Sequence, residues 1–498
     1  MYVYCSPRYR LCIVWETHLI LLNHKFLLRL LFDPWRHIPG PFLAKFTGVM
    51  LRLESMRGRR VYELDRLHAR YGPIVRVGPD EVSISDWRHL RTIYQAKSGV
   101  IKDARFYDPI RMFGQHNIFQ MIDPAEHAAR RKLSSSPYSL QSIAQLDPII
   151  QKQSQILVSR LLAQASASAS GTADAYMLCG LYSLEVICQA GFAKEFTGPT
   201  ATDDTRHLLD LIDGSAAAFM YSASIPFASI HGVGSRLPGP IGASYRAFAD
   251  WQQASRDMVD HFLQHSSEET KYLLNPLSQS TDRFLNRKLA HNELVEEAMT
   301  YVFAGSGTTS TTLTYILYEI SKPNHRYVQD RLRQEVRGPQ EGDITGLRNN
   351  DYVNAVIKET MRLHPTIIST LPRLLTESMQ LDNLCLPTGT IVGMQNWVHH
   401  RNPAVFPSPE SFVLHRWLDA TVEMESSLTP FGIGRRNCIG QNLAWQELYW
   451  AIGSLMRAGV ELELGVEMGN WEMEKIDRFN IAPRGKRLML AVTKCGKI

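Results

Sequence analysis

Phe431-Gly432-Ile433-Gly434-Arg435-Arg436-Asn437-Cys438-Ile439-Gly440 sets a single cysteine in a glycine-rich loop, just ahead of an apolar, helix-like run. Two glycines, Gly434 and Gly440, flank Cys438 and let backbone pass close to a flat neighbour with no side chain in the way. A turn that leads into a helix aims N–H groups and the positive end of the helix dipole at the sulfur, which favours a thiolate. Arg436, two residues upstream, can reach a carboxylate. A lone cysteine in a turn is ordinarily a small buried hydrophobe. This one belongs to the longer string Phe-x-x-Gly-x-Arg-x-Cys-x-Gly, and at average residue usage a chain of this length matches those five fixed positions by chance on the order of once in ten thousand. The loop fits a thiolate ligand to a planar iron cofactor.

A second constellation lies upstream. Asn292 and Glu293 open a long apolar run that Pro323 ends, Glu296 and Glu297 favour the positive end of its dipole, and the cap, the acidic start and the proline stop predict one helix crossing the core. Inside it stand Ala304-Gly305-Ser306-Gly307-Thr308-Thr309. Two glycines in a buried helix cost about 1 kcal/mol each, so they serve either close packing or a ligand that lies against the backbone. The Thr308 hydroxyl can bond back to a carbonyl one turn earlier and still face a ligand.

Three further pieces complete the pattern. Glu359-Thr360-Met361-Arg362 falls in a helical stretch, Tyr352 to His364, closed by Pro365, and Arg416 follows before the cysteine. Read alone, a Glu–Arg pair at i,i+3 is a solvated surface pair. His127 and Arg131 are four apart on one helix face, which is also the pattern of an exposed basic helix. Arg373 stands in Leu371-Pro372-Arg373.

Together, in this order, these motifs resemble the cytochrome P-450 superfamily of haem-thiolate monooxygenases over residues 38–445 at least. The run Ile38-Pro39-Gly40-Pro41-Phe42-Leu43-Ala44-Lys45 and the segment Tyr107-Asp108-Pro109-Ile110 look like microsomal, filamentous-fungal members of secondary metabolism. The resemblance implies a mainly α fold with small β-sheets, a single triangular domain in which haem lies between the long helix and the cysteine loop. It implies haem b (iron protoporphyrin IX) with Cys438 as the axial iron ligand, Phe431, Gly434, Arg436 and Gly440 around it, and His127, Arg131 and Arg373 on the propionates. Ala304, Gly305, Gly307 and Thr308 take the places of the oxygen-activation motif, but Gly307 stands where most members carry an acid, so water, Ser306 or Thr309 has to substitute. Glu359, Arg362 and Arg416 match a buried structural network, although Leu414 and His415 depart from the usual Pro-Glu. The expected reaction inserts one oxygen atom from O2 into a lipophilic small molecule, a monooxygenase reaction of the EC 1.14 type. The electrons come from NADPH through a separate NADPH-cytochrome reductase, since the chain carries no flavin or dinucleotide domain. Apolar windows at Phe113–Met121, Met220–Phe227, Tyr301–Ala304, Ile367–Thr370 and Phe479–Ile481 are expected to shape the substrate, with Arg105 or Arg111 available to an acidic group. The alternatives are a reductase-independent peroxygenase, isomerase or dehydratase, motivated by Gly307, and a non-enzymatic haem gas sensor.

Composition agrees. Apolar content of 44% with 21% charged residues suits a substantial core, and a net charge of +5 over 498 residues gives no sign of a nucleic-acid partner. Seven scattered cysteines argue against a disulfide framework and for a reducing compartment. Leu11 to Phe32 is leucine-rich but broken by Glu16, His18, His24, Lys25 and Arg29, which suits a helix lying on a membrane surface better than a span; a degraded terminus reads the same way. Residues 1–37 are therefore expected to associate with a membrane and 38–498 to form the catalytic domain, with Ile38–Pro41 as a stiff hinge. The resemblance implies the endoplasmic reticulum membrane, with the catalytic domain facing the cytosol. Elsewhere, Ile74–Val77 and Glu81–Ile84 read as a hairpin, Asp147–Leu162 as a helix, the Ala/Ser alternation from Ala165 to Gly171 as an exposed loop, and 264–282 as a surface connection.

Overall fold

The computed structural model describes residues 31–197, 200–224, 232–266, 271–337, 344–478 and 480–494. The leucine-rich stretch therefore lies outside the described residues, except for Leu31 and Phe32. Helices dominate. The ones that place the site are α1 (Pro124–Ser134), α2 (Asp147–Ala167), α3 (Ala175–Phe192), α4 (Ala201–Ser224), α5 (Gly239–His265), α6 (His291–Ile320), α7 (Asp351–Leu363) and α8 (Gln441–Arg457). The expected mainly α architecture with small sheets is what the chain forms.

The long helix α6 crosses the core as its sequence predicts, with one difference at its start. The helix begins at His291, not beyond Asn292, because Glu293 reaches back to accept the Ala290 N–H at 2.6 Å. Helix α3 is long and apolar enough to cross a membrane, yet it is buried against α2 and α6 and serves as core. Gly305 makes that packing possible: a Cβ there would meet Ile187 Cγ1 of α3 at 2.8 Å.

One side of the molecule carries a five-stranded sheet of β1 (Ile74–Arg76), β2 (Glu81–Ile84), β3 (Val100–Lys102), β4 (Arg373–Leu375) and β5 (Ile391–Gly393), ordered β1-β2-β5-β4-β3. The predicted hairpin is there, antiparallel, with Val75 opposite Ser83. A second hairpin, β6 (Lys475–Arg478) and β7 (Asn480–Pro483), packs on α6.

Three expectations are corrected. Helix α2 continues to Ala167, so the Ala/Ser alternation is partly helical, and Ala165 is buried in the main apolar cluster. Alanine is the best helix former, and its small side chain lets the last turn pack. The 264–282 connection is not wholly superficial: Leu273, Leu274 and Leu277 are fully buried, and Asp282 pairs with buried Arg130. Three leucines amid polar residues were enough to pull the strand of chain inward. The Ile38–Pro41 segment is no free hinge. The Pro39 carbonyl accepts the Arg76 N–H at 2.7 Å, and a Cβ on Gly40 would lie 2.2 Å from the Arg76 carbonyl. Asp33 is already paired with buried Arg76, and Trp35 donates to Thr390 Oγ1 at 2.8 Å.

Burial of Leu274 gives a direct test. Leu274→Ala should destabilise the protein by roughly 2–5 kcal/mol, read as a lower urea midpoint, whereas a surface leucine would leave the midpoint nearly unchanged.

Candidate active site

The cysteine loop is held by its own backbone. The Cys438 N–H donates to the Phe431 carbonyl at 2.8 Å, and the Gly440 amide points at the sulfur. Burial pushes the Cys438 thiol up, while the Gly440 amide and the Arg131 guanidinium pull it down. The side chain is nonetheless accessible, so it faces a space left open beside the loop. Gly434 is required for a protein contact: its φ is +76°, and a Cβ would lie 2.3 Å from the Tyr94 carbonyl. The close approach expected of it is to protein backbone, not to a cofactor. Gly440 has φ −83° and only ordinary contacts, to Tyr138 and Cys438 Sγ. The Phe431 ring sits against Trp445 of α8.

Across from the loop stands the middle of α6. Ala304 is exposed and Thr308 half-exposed in a helix whose flanking turns are buried, so these two face an opening inside the protein. The Thr308 hydroxyl donates to the Ala304 carbonyl at 2.7 Å, the back-bond its position allows. Tyr138 ties the two halves together. Its ring packs edge-on to Tyr301 at 5.8 Å, one turn before Ala304, and it touches the loop at Gly440. Gly305 is accounted for by packing against α3, which removes it from the group facing the opening.

At the side lies a cluster of positive charge. Arg373 donates to Tyr107 Oη at 3.0 Å and to the Leu371 and Pro372 carbonyls. Arg436 donates to the Met121 carbonyl at 2.7 Å and the Ile122 carbonyl at 3.1 Å. Arg131 holds the Asn437 carbonyl and side chain at 2.6 and 2.8 Å, which fastens α1 to the residue before Cys438. Buried Lys102, at the end of β3, donates to the Phe119 carbonyl. These partners are carbonyls, an amide and a phenol, not acids. The effect shows on buried His127: burial first, then Arg436, Lys102, Arg131 and Arg373, push it down to about 2. Burial, Arg373 and Arg436 likewise depress the Lys102 ammonium far below its usual range. Asp123 and Glu126 offset part of this charge at Arg436, and the excess of one sign at buried Lys102 and Arg373 suits a counter-ion. A planar cofactor with two carboxylates and an iron for Cys438 fits this donor set.

A sequence model of the family described as "Cytochrome P450" matches residues 38–458. The chain belongs to the cytochrome P450 family. It is a haem-thiolate monooxygenase, an oxidoreductase. Among its relatives is the cytochrome P450 monooxygenase orf2 of Aspergillus niger, 29% identical over 92% of this chain and 93% of that one. Another, cytochrome P450 monooxygenase tazI of Aspergillus terreus, is 28% identical over 92% and 94%. Tryprostatin B 6-hydroxylase of Aspergillus fumigatus is 28% identical over 92% and 82%. The structure of retinoic acid-bound cyanobacterial CYP120A1 superposes with a TM-score of 0.74 at 19% identity, covering 92% of this chain and 99% of that one, a likeness of fold.

As a P450, the chain should own the Glu-Arg-Arg network, and it does. Arg362 meets Glu359 with two bonds of 2.8 Å, and Arg416 Nε donates to Glu359 Oε1 at 3.3 Å. The sequence reading missed two more donors, the Val413 N–H and Trp417 Nε1, both at 2.8 Å. It also missed the route to the loop. Arg362 holds the His400 carbonyl, and His400 Nε2 accepts the Thr429 N–H at 3.0 Å, two residues before Phe431.

Two other acids have a different role from the one their positions suggest. Glu296 and Glu297, read as helix-dipole partners, turn inward. Glu296 accepts the Met112 and Phe113 N–H groups and Asn117 Nδ2; Glu297 accepts the Ile118 N–H and pairs with Arg130. They clamp the 112–118 loop, the first expected substrate window, onto α6. Arg105 pairs with Asp80 and Asp103, and Arg111 with Asp108, so neither stands free for an acidic substrate. Phe479 and 225–227 of the other windows lie outside the described residues.

Glu447 of α8 is buried with the Ser183 hydroxyl at 2.9 Å, and burial raises it from 4.5 to about 8. A raised acid binds a proton on folding, so its contribution to stability falls as pH rises from about 4.5 to 8. Glu447→Gln should therefore raise the thermal midpoint at pH 8 relative to the unaltered protein and leave it unchanged near pH 4.5.

Proposed function

We propose that the P450 works at the cytosolic face of the endoplasmic reticulum membrane, takes NADPH electrons from a separate NADPH-cytochrome reductase, and oxygenates a lipophilic small molecule of secondary metabolism. The observation that carries this reading is the accessible Cys438 beside Tyr138, with Ala304 and Thr308 left open on α6 and a cluster of cations at the flank whose hydrogen-bond partners are not acids.

Bound there, haem b supplies activation of O2 and insertion of one oxygen atom, with thiolate donation from Cys438 favouring O–O cleavage. The chain does the rest. Arg131, Arg373, Arg436 and Lys102 would hold the carboxylates, and His127, kept neutral by its burial and then by its cationic neighbours, adds a neutral donor. The Glu359 network fixes the 400–417 segment and through His400 the start of the cysteine loop. Ala304 leaves room at the helix, and Thr308 holds its hydroxyl proton on the Ala304 carbonyl, from which it can turn to an oxygen in the opening. The windows expected to shape the substrate are mostly apolar, at Phe113, Ile118, Tyr301, Ile367 and Ile368, which favours a lipophilic substrate.

The membrane reading rests on where apolar surface concentrates. Among the described residues, eight of the sixteen exposed large hydrophobic side chains fall between Leu31 and Met56, directly after the leucine-rich stretch. Exposed apolar side chains concentrated in one segment favour an interaction surface there.

Two experiments test the proposal. Cys438→Ala should abolish the thiolate-type absorption of the reduced carbon monoxide complex; an unchanged spectrum would sink the ligand assignment. In co-sedimentation with phosphatidylcholine vesicles, the full chain should bind, and replacing Phe42, Leu43, Met50 and Met56 by serine should weaken binding by roughly tenfold or more. Equal binding by both proteins would place the membrane contact elsewhere.

A further inference from the structure

The turn of α6 from Gly305 to Thr308 lacks a carboxylate at 307, and the substitutes suggested by the sequence are committed elsewhere. The Ser306 hydroxyl donates to the Val302 carbonyl at 2.7 Å, and Thr309 is buried. Yet the place a side chain at 307 would take is not empty. A Cβ built on Gly307 meets one neighbour, Asn480 Nδ2 of β7, at 3.4 Å.

Asn480 is brought there by a built connection. The Thr308 carbonyl accepts the Thr312 hydroxyl at 3.0 Å, and Thr312 Oγ1 lies 2.9 Å from Thr366 Oγ1. The Thr366 carbonyl in turn accepts the Ile481 N–H at 2.8 Å, and Ile367 bridges Asn480. The hydroxyl ladder that starts at Thr308 thus ends on the residue next to Asn480. Hydrogen bonds of this length fix β7 against α6 at this one turn. The carboxamide is only partly buried and faces the glycine. The carboxamide carries two donors on Nδ2, the atom nearest the glycine, and an acceptor on Oδ1.

We propose that Asn480 is a positioning residue for the oxygen chemistry: its carboxamide occupies the place of the side chain missing at Gly307 and orients the water that delivers protons at Thr308 Oγ1. This deepens the monooxygenase reading and rests on it. An amide cannot release a proton at neutral pH, so it acts by holding water. The protons come from solvent. Gly307 and Asn480 form one unit, because a Cβ at 307 already touches the amide and the atoms of a longer side chain would compete with it for the same space.

The partition of oxygen reports on it without any substrate. O2 taking up two electrons and two protons yields H2O2, and taking up four of each yields two H2O. Poor proton delivery favours peroxide. The haem-loaded full chain is mixed with NADPH and NADPH-cytochrome reductase, and NADPH, O2 and H2O2 are followed together. Asn480→Ala should raise the peroxide-to-water ratio roughly fivefold, the worth of one neutral hydrogen bond. Asn480→Asp should lower it and make it depend on pH through the carboxylate range, which a merely structural role would not do. Thermal midpoints of Gly307→Asp, Asn480→Gly and the double variant give a second, activity-free readout. The aspartate should destabilise alone and be tolerated beside the glycine. An unchanged ratio in Asn480→Ala with normal NADPH consumption, or additive midpoints, overturns the assignment. No NADPH consumption by the unaltered protein overturns the reductase-dependent reading instead, while the midpoints still report on the contact.

Discussion

A single carboxylate, Glu359, organises the half of the molecule that carries the cysteine. Fully buried, it accepts five hydrogen bonds, two from Arg362 and one each from Arg416, Trp417 and the Val413 amide. Breaking a buried pair by removing one partner leaves a charge without solvent, typically worth 3–5 kcal/mol. That asymmetry makes the network an on-off constraint. Arg362 and Arg416 also reach the carbonyls of His400, Pro407, Pro409 and Ser411, so an irregular segment with few ladder bonds of its own is set by two guanidinium groups. His400 hands the constraint to Thr429 and so to the loop. The position of Cys438 is a tertiary result, not a property of its turn.

The opposite wall obeys a different rule. There the deciding factor is the absence of side chains. Gly305 lets α3 lie against α6, and Ala304 leaves space on the neighbouring face. One turn of helix thus packs tightly on one side and stays open on the other. Two adjacent carboxylates about two turns earlier, Glu296 and Glu297, hold the 112–118 loop against α6 through backbone amides, so the loop needs no regular structure to be placed.

Much of this was legible in the chain itself. The cysteine string, the Glu-Arg pair and the Thr308 turn each combine chemistry with fixed spacing, and local spacing survives folding. What escaped the sequence was long-range. Lys102, Trp417, His400 and Asn480 are joined to the site by pairings across scores or hundreds of residues, with no periodicity to announce them. Glu296 and Glu297 were visible but misread, because the helix-dipole argument treats an acid near an N-terminus as solvated, whereas these two point into the core. The Ala/Ser stretch and the 264–282 segment were misjudged for a related reason. Low complexity and polarity describe average exposure, while one Ala165 or three leucines decide local burial.

The docking of the chain at Asp33, Trp35 and Pro39 onto the sheet has a mechanical meaning. A tether that ends in a floppy hinge lets a catalytic body swivel freely over a bilayer. Here the residues after the leucine-rich stretch are riveted to β1 and β5 within a few positions, so little slack separates the two. A force on the chain at Asp33 or Trp35 therefore passes to the sheet, whose β3 and β4 carry Lys102 and Arg373 opposite each other. On the proposed membrane reading, the angle at which an electron donor meets this protein would be set by the membrane as much as by the donor.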